Sequence, residues 1–251
     1  MNIATMPFVN VSPYFHFLSA RWLDRHRVVS AVPRQLGDLA RLGKVDVGAF
    51  SYVDGLGLVE SGEFEWLGSL GIAGSGPIHS ILLCGVDQSA DLRGQAIAIS
   101  PQTATTVKLL ELWLKQKEGL TDFRFTGPDD NAIARLLIGD DALRRKLTLG
   151  GQEPQLDLSE AWTDWTGLPF VFARWAVRKA LPEREKKELA LTLGASLDLA
   201  LEDLEDVAQA QADRTGLPAD KILAYLKGIG YHLGPTQLAG AEEFKRRLDL
   251  L

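Results

Sequence analysis

The sequence predicts an α/β protein of two lobes, each a mainly parallel sheet flanked by helices, with a cleft between the lobes. Three observations carry this reading. From Ile3 to Phe50, strand-like and helix-like segments alternate with short connections, the order that builds a parallel sheet. A second alternation of the same kind begins at Asp91. The third observation is the stretch from Trp162 to Val177, W-T-D-W-T-G-L-P-F-V-F-A-R-W-A-V, which leads the chain back. It opens as a short helix that Gly167 can end by taking a left-handed conformation. Pro169 biases Leu168 toward extended geometry. The apolar run after it, broken only by Arg174, reads as a strand buried on both faces. Three of the six tryptophans lie in this stretch, so something large packs there.

The elements follow in order. Ile3 to Val9 reads as a first strand ending at Asn10, and Ser12-Pro13 as the cap and first residue of a helix. Val28 to Val32 is a second strand. Pro33 opens a helix with Leu36, Leu39, Ala40 and Leu42 on one face, stopped by Gly43. Val45 to Phe50 is a third strand, followed by Ser51, Tyr52 and Asp54. Phe64 to Ile72 adds strand and turn. Ile78 to Cys84 is a buried strand carrying His79 and Ser80 on opposite sides. In the second half, Asp91 to Gly94 is a turn and Gln95 to Ser100 a strand. Thr103, Thr105 and Thr106 precede a periodic helix through Val107, Leu110, Trp113 and Leu114. Phe123 to Phe125 is a strand. Gly127-Pro128-Asp129 starts a helix ending near Leu137, with Ile138 a short strand into Gly139-Asp140. Pro182 launches a long helical region with Leu189, Leu193, Leu197, Leu201 and Leu204 on one face and a bend at Gly194. Ala219 to Lys227 and Thr236 to Leu248 are the last helices. The crossings place lobe 1 at residues 1–82 and 173–251, with the C-terminal helices, and lobe 2 at residues 83–172.

Composition narrows the function. A chain of 251 residues, 46% hydrophobic and 24% charged, has ample material for a core. Its net charge of −6 gives no general pull toward nucleic acid. One cysteine, Cys84, excludes an internal disulfide, and with four scattered histidines it leaves no zinc spacing. Cys84 sits in I-L-L-C-G and reads as a small buried hydrophobe. The N-terminus has no basic region and no long apolar core, and no stretch reaches a membrane span. A cytoplasmic protein without membrane or nucleic-acid partners is the expectation, as a monomer or homodimer.

In open α/β sheets ligands bind outside the carboxyl ends of strands, beside helix N-termini. The strand-end residues are Asn10, Ser51, Ser80, Thr105, Thr106 and Asp140. They are mostly small, neutral hydrogen-bonders. No metal set and no nucleophile–base pair is visible among them. Asp140 reads as a hinge or cap, His79 as a satisfied histidine, and Arg174 as the partner of a carboxylate or a structural ion pair.

Five stretches in order carry a resemblance: P-F-V-N-V-S-P near the start, the serine of H-S-I-L-L, T-A-T-T-V, L-L-I-G-D-D-A-L, and D-L-S-E-A-W-T-D-W-T-G-L-P-F-V-F-A-R-W. Together they resemble the chorismate dehydratase family, which opens the futalosine route to menaquinone. The likeness runs nearly end to end and is weakest between about 178 and 225. Val9, Thr103 and Thr106 depart from the family's usual residues, but the hydroxyls are kept. The resemblance implies a periplasmic-binding-protein-like (type II) fold and dehydration of chorismate to 3-[(1-carboxyvinyl)oxy]benzoate without a cofactor. It implies Asn10 and Ser80 as catalytic residues, and Ser51, Thr105 and Thr106 beside them in binding substrate. Two alternatives stay open. One is the dihydroxynaphthoate synthase of the same pathway, which differs after the T-G-L-P turn. The other is a non-catalytic receptor for small anionic solutes.

Overall fold

A computed structural model describes residues 1–86, 89–100, 103–150 and 152–251. The chain begins with β1 (Asn2–Thr5), a 3-10 helix at Val9–Tyr14, α1 (Ala20–Leu23), β2 (Arg27–Ser30), α2 (Pro33–Arg41), β3 (Val47–Ser51), α3 (Tyr52–Glu60) and β4 (Phe64–Gly74). It continues through β5 (Ile81–Cys84), a 3-10 turn at Ser89–Leu92, β6 (Gln95–Ile99), α4 (Thr105–Leu112) with a π-helical turn at Trp113–Lys117, β7 (Phe123–Thr126), β8 (Ala134–Ile138) and α5 (Gly139–Leu149). β9 (Gln155–Asp157), α6 (Leu158–Thr166), β10 (Phe170–Arg178), α7 (Glu183–Glu202), α8 (Leu204–Thr215), α9 (Ala219–Lys227), β11 (Ile229–His232) and α10 (Pro235–Leu248) complete it. No helix among the described residues is long and apolar enough to cross a membrane.

Two compact units result, one of residues 1–72 with 172–233, the other of residues 73–171 with 234–251. The first is built on a six-stranded sheet of order β11-β4-β10-β3-β1-β2. β1 runs parallel to both β2 and β3, as the alternation near the N-terminus requires, and β10 returns antiparallel to β3. α2 begins with Pro33 at its first turn, buries Leu36 and Ala40, and gives way to Gly43 in the left-handed region at φ +68°. In α7 the buried face is Leu189, Leu193, Leu197 and Ala200, while Leu199 and Leu201 face out. The core centres on Tyr14, whose ring meets Trp175 and Tyr231 edge-on at 5.1 and 5.8 Å.

The second unit holds a five-stranded sheet of order β7-β6-β8-β5-β9. β6 is parallel to β7 and β8, and β5 is antiparallel to β8 and β9. Each sheet thus has a parallel nucleus joined to its next strand by an antiparallel pairing. Trp162 is fully buried in this unit, edge-on to Trp165, Phe170 and Phe244, with its Nε1 donating to the Pro169 carbonyl at 3.2 Å. Here Gly167 is left-handed (φ +71°) and ends α6, as the W-T-G-L-P spacing predicts.

Several expectations are corrected. The division at 82 and 173 differs from the observed units: residue 82 lies inside β5, a strand of the second sheet, and α10 belongs with the second unit. Asn10 is not at a strand end. β1 stops at Thr5, ahead of Pro7, and Asn10 sits in a 3-10 helix that contains Pro13. The helix expected over 129–137 is a turn followed by β8. The Asp130 carboxylate accepts from the Gly127 N–H at 2.9 Å and from the Thr126 hydroxyl, so this acid closes a local turn instead of capping a helix. Asp140 consequently falls in the first turn of α5. The strand expected from Ile78 starts at Ile81, because His79 is left-handed at φ +61°. Strand alternation therefore does not set the sides of His79 and Ser80.

Candidate functional site

The second sheet gathers several helix starts on one edge. β6 and β8 are parallel and lead into α4 and α5. β5 is antiparallel to β8 with Ile81 opposite Ile138, so β5 begins where β8 ends. β9 is antiparallel to β5 with Asp157 opposite Leu82, so β9 ends on the same edge and leads into α6. Three helix N-termini and the segment His79–Ser80 therefore share this edge. Helix N-termini present unsatisfied N–H groups and a partial positive charge, which suits carboxylates.

Asp157 ties the edge together. It is buried, and its carboxylate accepts four backbone N–H groups. Oδ1 takes those of Ser159 and Glu160 at 2.9 and 3.3 Å, capping α6. Oδ2 takes those of Ile78 and His79 at 3.0 and 2.7 Å. Burial raises the Asp157 carboxyl above the ordinary carboxylate range, and the backbone donors pull it back down. His79 is the only non-glycine residue at positive φ among the described residues, and its peptide is one of those held. A half-exposed imidazole lies 3.8 Å from the same carboxylate.

The hydroxyls of this edge are placed as follows. Ser80 is buried, and its carbonyl accepts the Gly139 N–H at 2.8 Å, which joins the start of β5 to the start of α5. Thr105 and Thr106 are the first two residues of α4, both buried, and α4 has no side-chain cap. Among the described residues, Thr103 Oγ1 and Ser159 Oγ are buried without a hydrogen-bond partner. Buried hydroxyls are nearly always paired, so these two retain unused hydrogen-bonding capacity on this edge.

The other two candidates belong to the first unit. Asn10 Oδ1 is likewise buried without a partner. Ser51 is the N-cap of α3: its Oγ accepts the Asp54 N–H at 3.4 Å and donates to Asp54 Oδ2 at 2.8 Å. Asp54 in turn binds Arg41 at 2.8 Å, so Ser51 is engaged in a structural network. The structure thus brings Ser80, Thr105 and Thr106 to one sheet edge, and places Asn10 and Ser51 in the other unit.

Other expectations resolve simply. Among the described residues Arg174 has no ion-pair partner; its guanidinium stacks on Trp66 at 4.6 Å and donates to the Gly68 carbonyl. Cys84 is buried, and burial pushes its thiol up to about 11, which makes it a poor nucleophile. Among the described residues no group of three or more His, Cys, Asp or Glu side chains could hold a metal ion. Asp157 escaped sequence reasoning although its signal was present. Asp157-Leu-Ser-Glu160 is an N-cap residue followed three positions later by glutamate, the signature of a helix start.

Comparison with known proteins agrees with this architecture. The menaquinone biosynthesis family matches residues 1–249. A chorismate dehydratase of Thermus thermophilus is 32% identical over 97% of this chain and 93% of its own length. A crystal structure of an Archaeoglobus fulgidus protein, 19% identical, superposes with a TM-score of 0.80 over 99% of this chain and 96% of that one. The periplasmic aliphatic sulphonate binding protein SsuA of Escherichia coli, 17% identical, does so with a TM-score of 0.68 over 100% of this chain and 85% of its own. The structural likenesses establish a periplasmic-binding-protein-like fold. With a family match across nearly every residue and a curated relative of this identity, the chain belongs to the menaquinone biosynthesis family.

Proposed function

We infer that this protein is a chorismate dehydratase of the futalosine route to menaquinone, a carbon–oxygen lyase. The observation that carries the reading is the relative of that name, 32% identical across 97% of the chain. The reaction breaks the bond between the ring and its hydroxyl and removes one ring proton, releasing water. The product is the aromatic 3-[(1-carboxyvinyl)oxy]benzoate. Aromatisation drives the elimination, so the protein's task is to hold a dianion in one conformation and keep its enolpyruvyl group from side reactions.

The residues suit that task. Helix N-termini and hydroxyls can receive carboxylates despite the net charge of −6, because the field that matters is local. Thr105 and Thr106 at the start of α4 are the proposed carboxylate binders, with Ser51 as a further binding residue. Asn10 and Ser80 are the proposed catalytic pair. Their amide and hydroxyl are not bases, and a carboxylate of chorismate itself takes the ring proton. Placing reacting groups within reach can lower a barrier by ~7–11 kcal/mol, enough to replace a tuned side-chain base.

Chelator-treated protein incubated with chorismate should form the enolpyruvyl benzoate. Folded protein that leaves chorismate untouched would overturn the reading. Turnover of the cyclic futalosine derivative instead would identify the sister synthase, and a small anion recovered unchanged would identify a solute receptor. The reading includes a cytoplasmic location and a monomer or homodimer, which cell fractionation and light scattering measure.

A further inference from the structure

We propose that Asp157 is a positioning residue that sets the place of Ser80 by clamping the left-handed turn at His79. The inference rests on the assignment of Ser80 to the reaction.

A non-glycine residue at positive φ costs free energy and persists only where its surroundings over-determine it. At His79 the surroundings are visible. The Asp157 carboxylate holds the N–H groups of Ile78 and His79, and the Ser80 carbonyl is pinned to Gly139. Ser80 is therefore fixed from both sides, by Asp157 before it and by the start of α5 after it. The carboxylate is itself immobilised, since its other oxygen caps α6 and its backbone pairs with Leu82. This makes α6 the anchor and residues 78–80 the part held.

The two oxygens of Asp157 do separable work, and asparagine exploits the difference. Asparagine is as good an N-cap as aspartate, so Asp157→Asn keeps one oxygen for Ser159 and Glu160. Its amide nitrogen then faces the Ile78 and His79 N–H groups, donor against donor. The cap survives and the clamp fails. Glycine at 79 offers the converse control, because it reaches positive φ without a steric cost and needs less holding.

Asp157→Asn should lower kcat for chorismate by roughly 10²-fold, the scale of a misplacement near 1 Å, with a smaller change in KM. The double variant Asp157→Asn/His79→Gly should recover a large part of that loss. Hydrogen exchange supplies a readout independent of chorismate. The Ile78 and His79 amides should exchange faster in Asp157→Asn, while those of Ser159 and Glu160 keep their protection. Equal turnover in Asp157→Asn and wild type would overturn the proposal. So would a loss of turnover that His79→Gly leaves unrepaired, or unchanged exchange at 78 and 79. Wild-type protein inert toward chorismate, with the exchange difference intact, would count against the dehydratase reading and not against the clamp.

Discussion

Gly240 in α10 lies so close to Pro169 that a β-carbon at position 240 would stand 2.0 Å from the Pro169 carbonyl oxygen. That oxygen already accepts the Trp162 indole N–H. Backbone on both sides leaves no flexible group to move aside. Gly240→Ala should therefore push α10 away from the Trp162–Phe170–Phe244 cluster, although alanine is the better helix former by about 1 kcal/mol. The expected net loss is about 1–3 kcal/mol, read as a lower Tm and weaker near-ultraviolet tryptophan signals. A Tm at or above wild type would show that the helix docks with room to spare.

Two buried tyrosines should respond oppositely to loss of the hydroxyl. The Tyr14 hydroxyl lies 2.7 Å from the Gly71 carbonyl and 3.1 Å from that of Tyr231, and its one proton serves either. The Tyr231 hydroxyl is buried with no hydrogen-bond partner among the described residues. Tyr14→Phe should cost about 1–2 kcal/mol, whereas Tyr231→Phe should be neutral or stabilising because it removes an unsatisfied group. Urea denaturation of the two variants measures both signs.

The docking of α10 also carries a pH dependence. Glu243 accepts hydrogen bonds from Arg246 and Arg247, and these hold its carboxyl down at about 2. Arg247 in turn stacks on Trp165 at 3.9 Å. A carboxyl with a depressed folded-state pKa stabilises fully above its unfolded pKa, and the contribution fades as pH falls through the folded value. The wild-type advantage over Glu243→Gln should be present at pH 6 and shrink progressively below about pH 4.5. Partial exposure limits it to about 1 kcal/mol, or about 2–4 °C in Tm. A Tm difference that stays constant from pH 6 to pH 3 would contradict the assignment.

The catalytic reading separates three further variants. Asn10→Ala and Ser80→Ala should each lower turnover at least tenfold, about 1.4 kcal/mol or more in the barrier, since each is a proposed catalytic residue. Asp140→Asn should retain most turnover, because Asp140 lies in the first turn of α5 and the proposed mechanism makes the substrate its own base. Loss of turnover in Asp140→Asn with chorismate binding intact would make Asp140 the base.

Where sequence signals were strong and local, the fold was legible. Pro33, Gly43, Gly167 and Leu189, Leu193 and Leu197 of α7 act through short-range geometry and did what their residue types imply, whereas Leu201, expected on the same face, is exposed and Ala200 is buried in its stead. The failures share a cause: local chemistry that imitates a different element. Gly127-Pro128-Asp129 looks like a helix start, yet Asp130 satisfies the turn by itself. Ile78 to Cys84 looks like one strand, but a carboxylate far along the chain forces His79 out of extended geometry. Of the site, the hydroxyl residues could be named from their order. Asp157 could not be tied to residues 78–79, because nothing local links them; only the antiparallel pairing of β5 with β9 brings them together.

The return of residues 234–251 to the second unit sets the order in which a newly made chain can finish folding. Every strand of the second sheet is synthesised before Trp162, but Phe244, which packs edge-on against Trp162 and Phe170, follows only after α7, α8 and α9. The first unit has all its residues once 233 has emerged. Between the making of Phe170 and that of Phe244 the growing chain therefore carries an open aromatic face, and the second unit is completed only after the last strand of the first. A message cut short within α10 would yield one unit with its full sequence and one still showing its interior to chaperones and proteases.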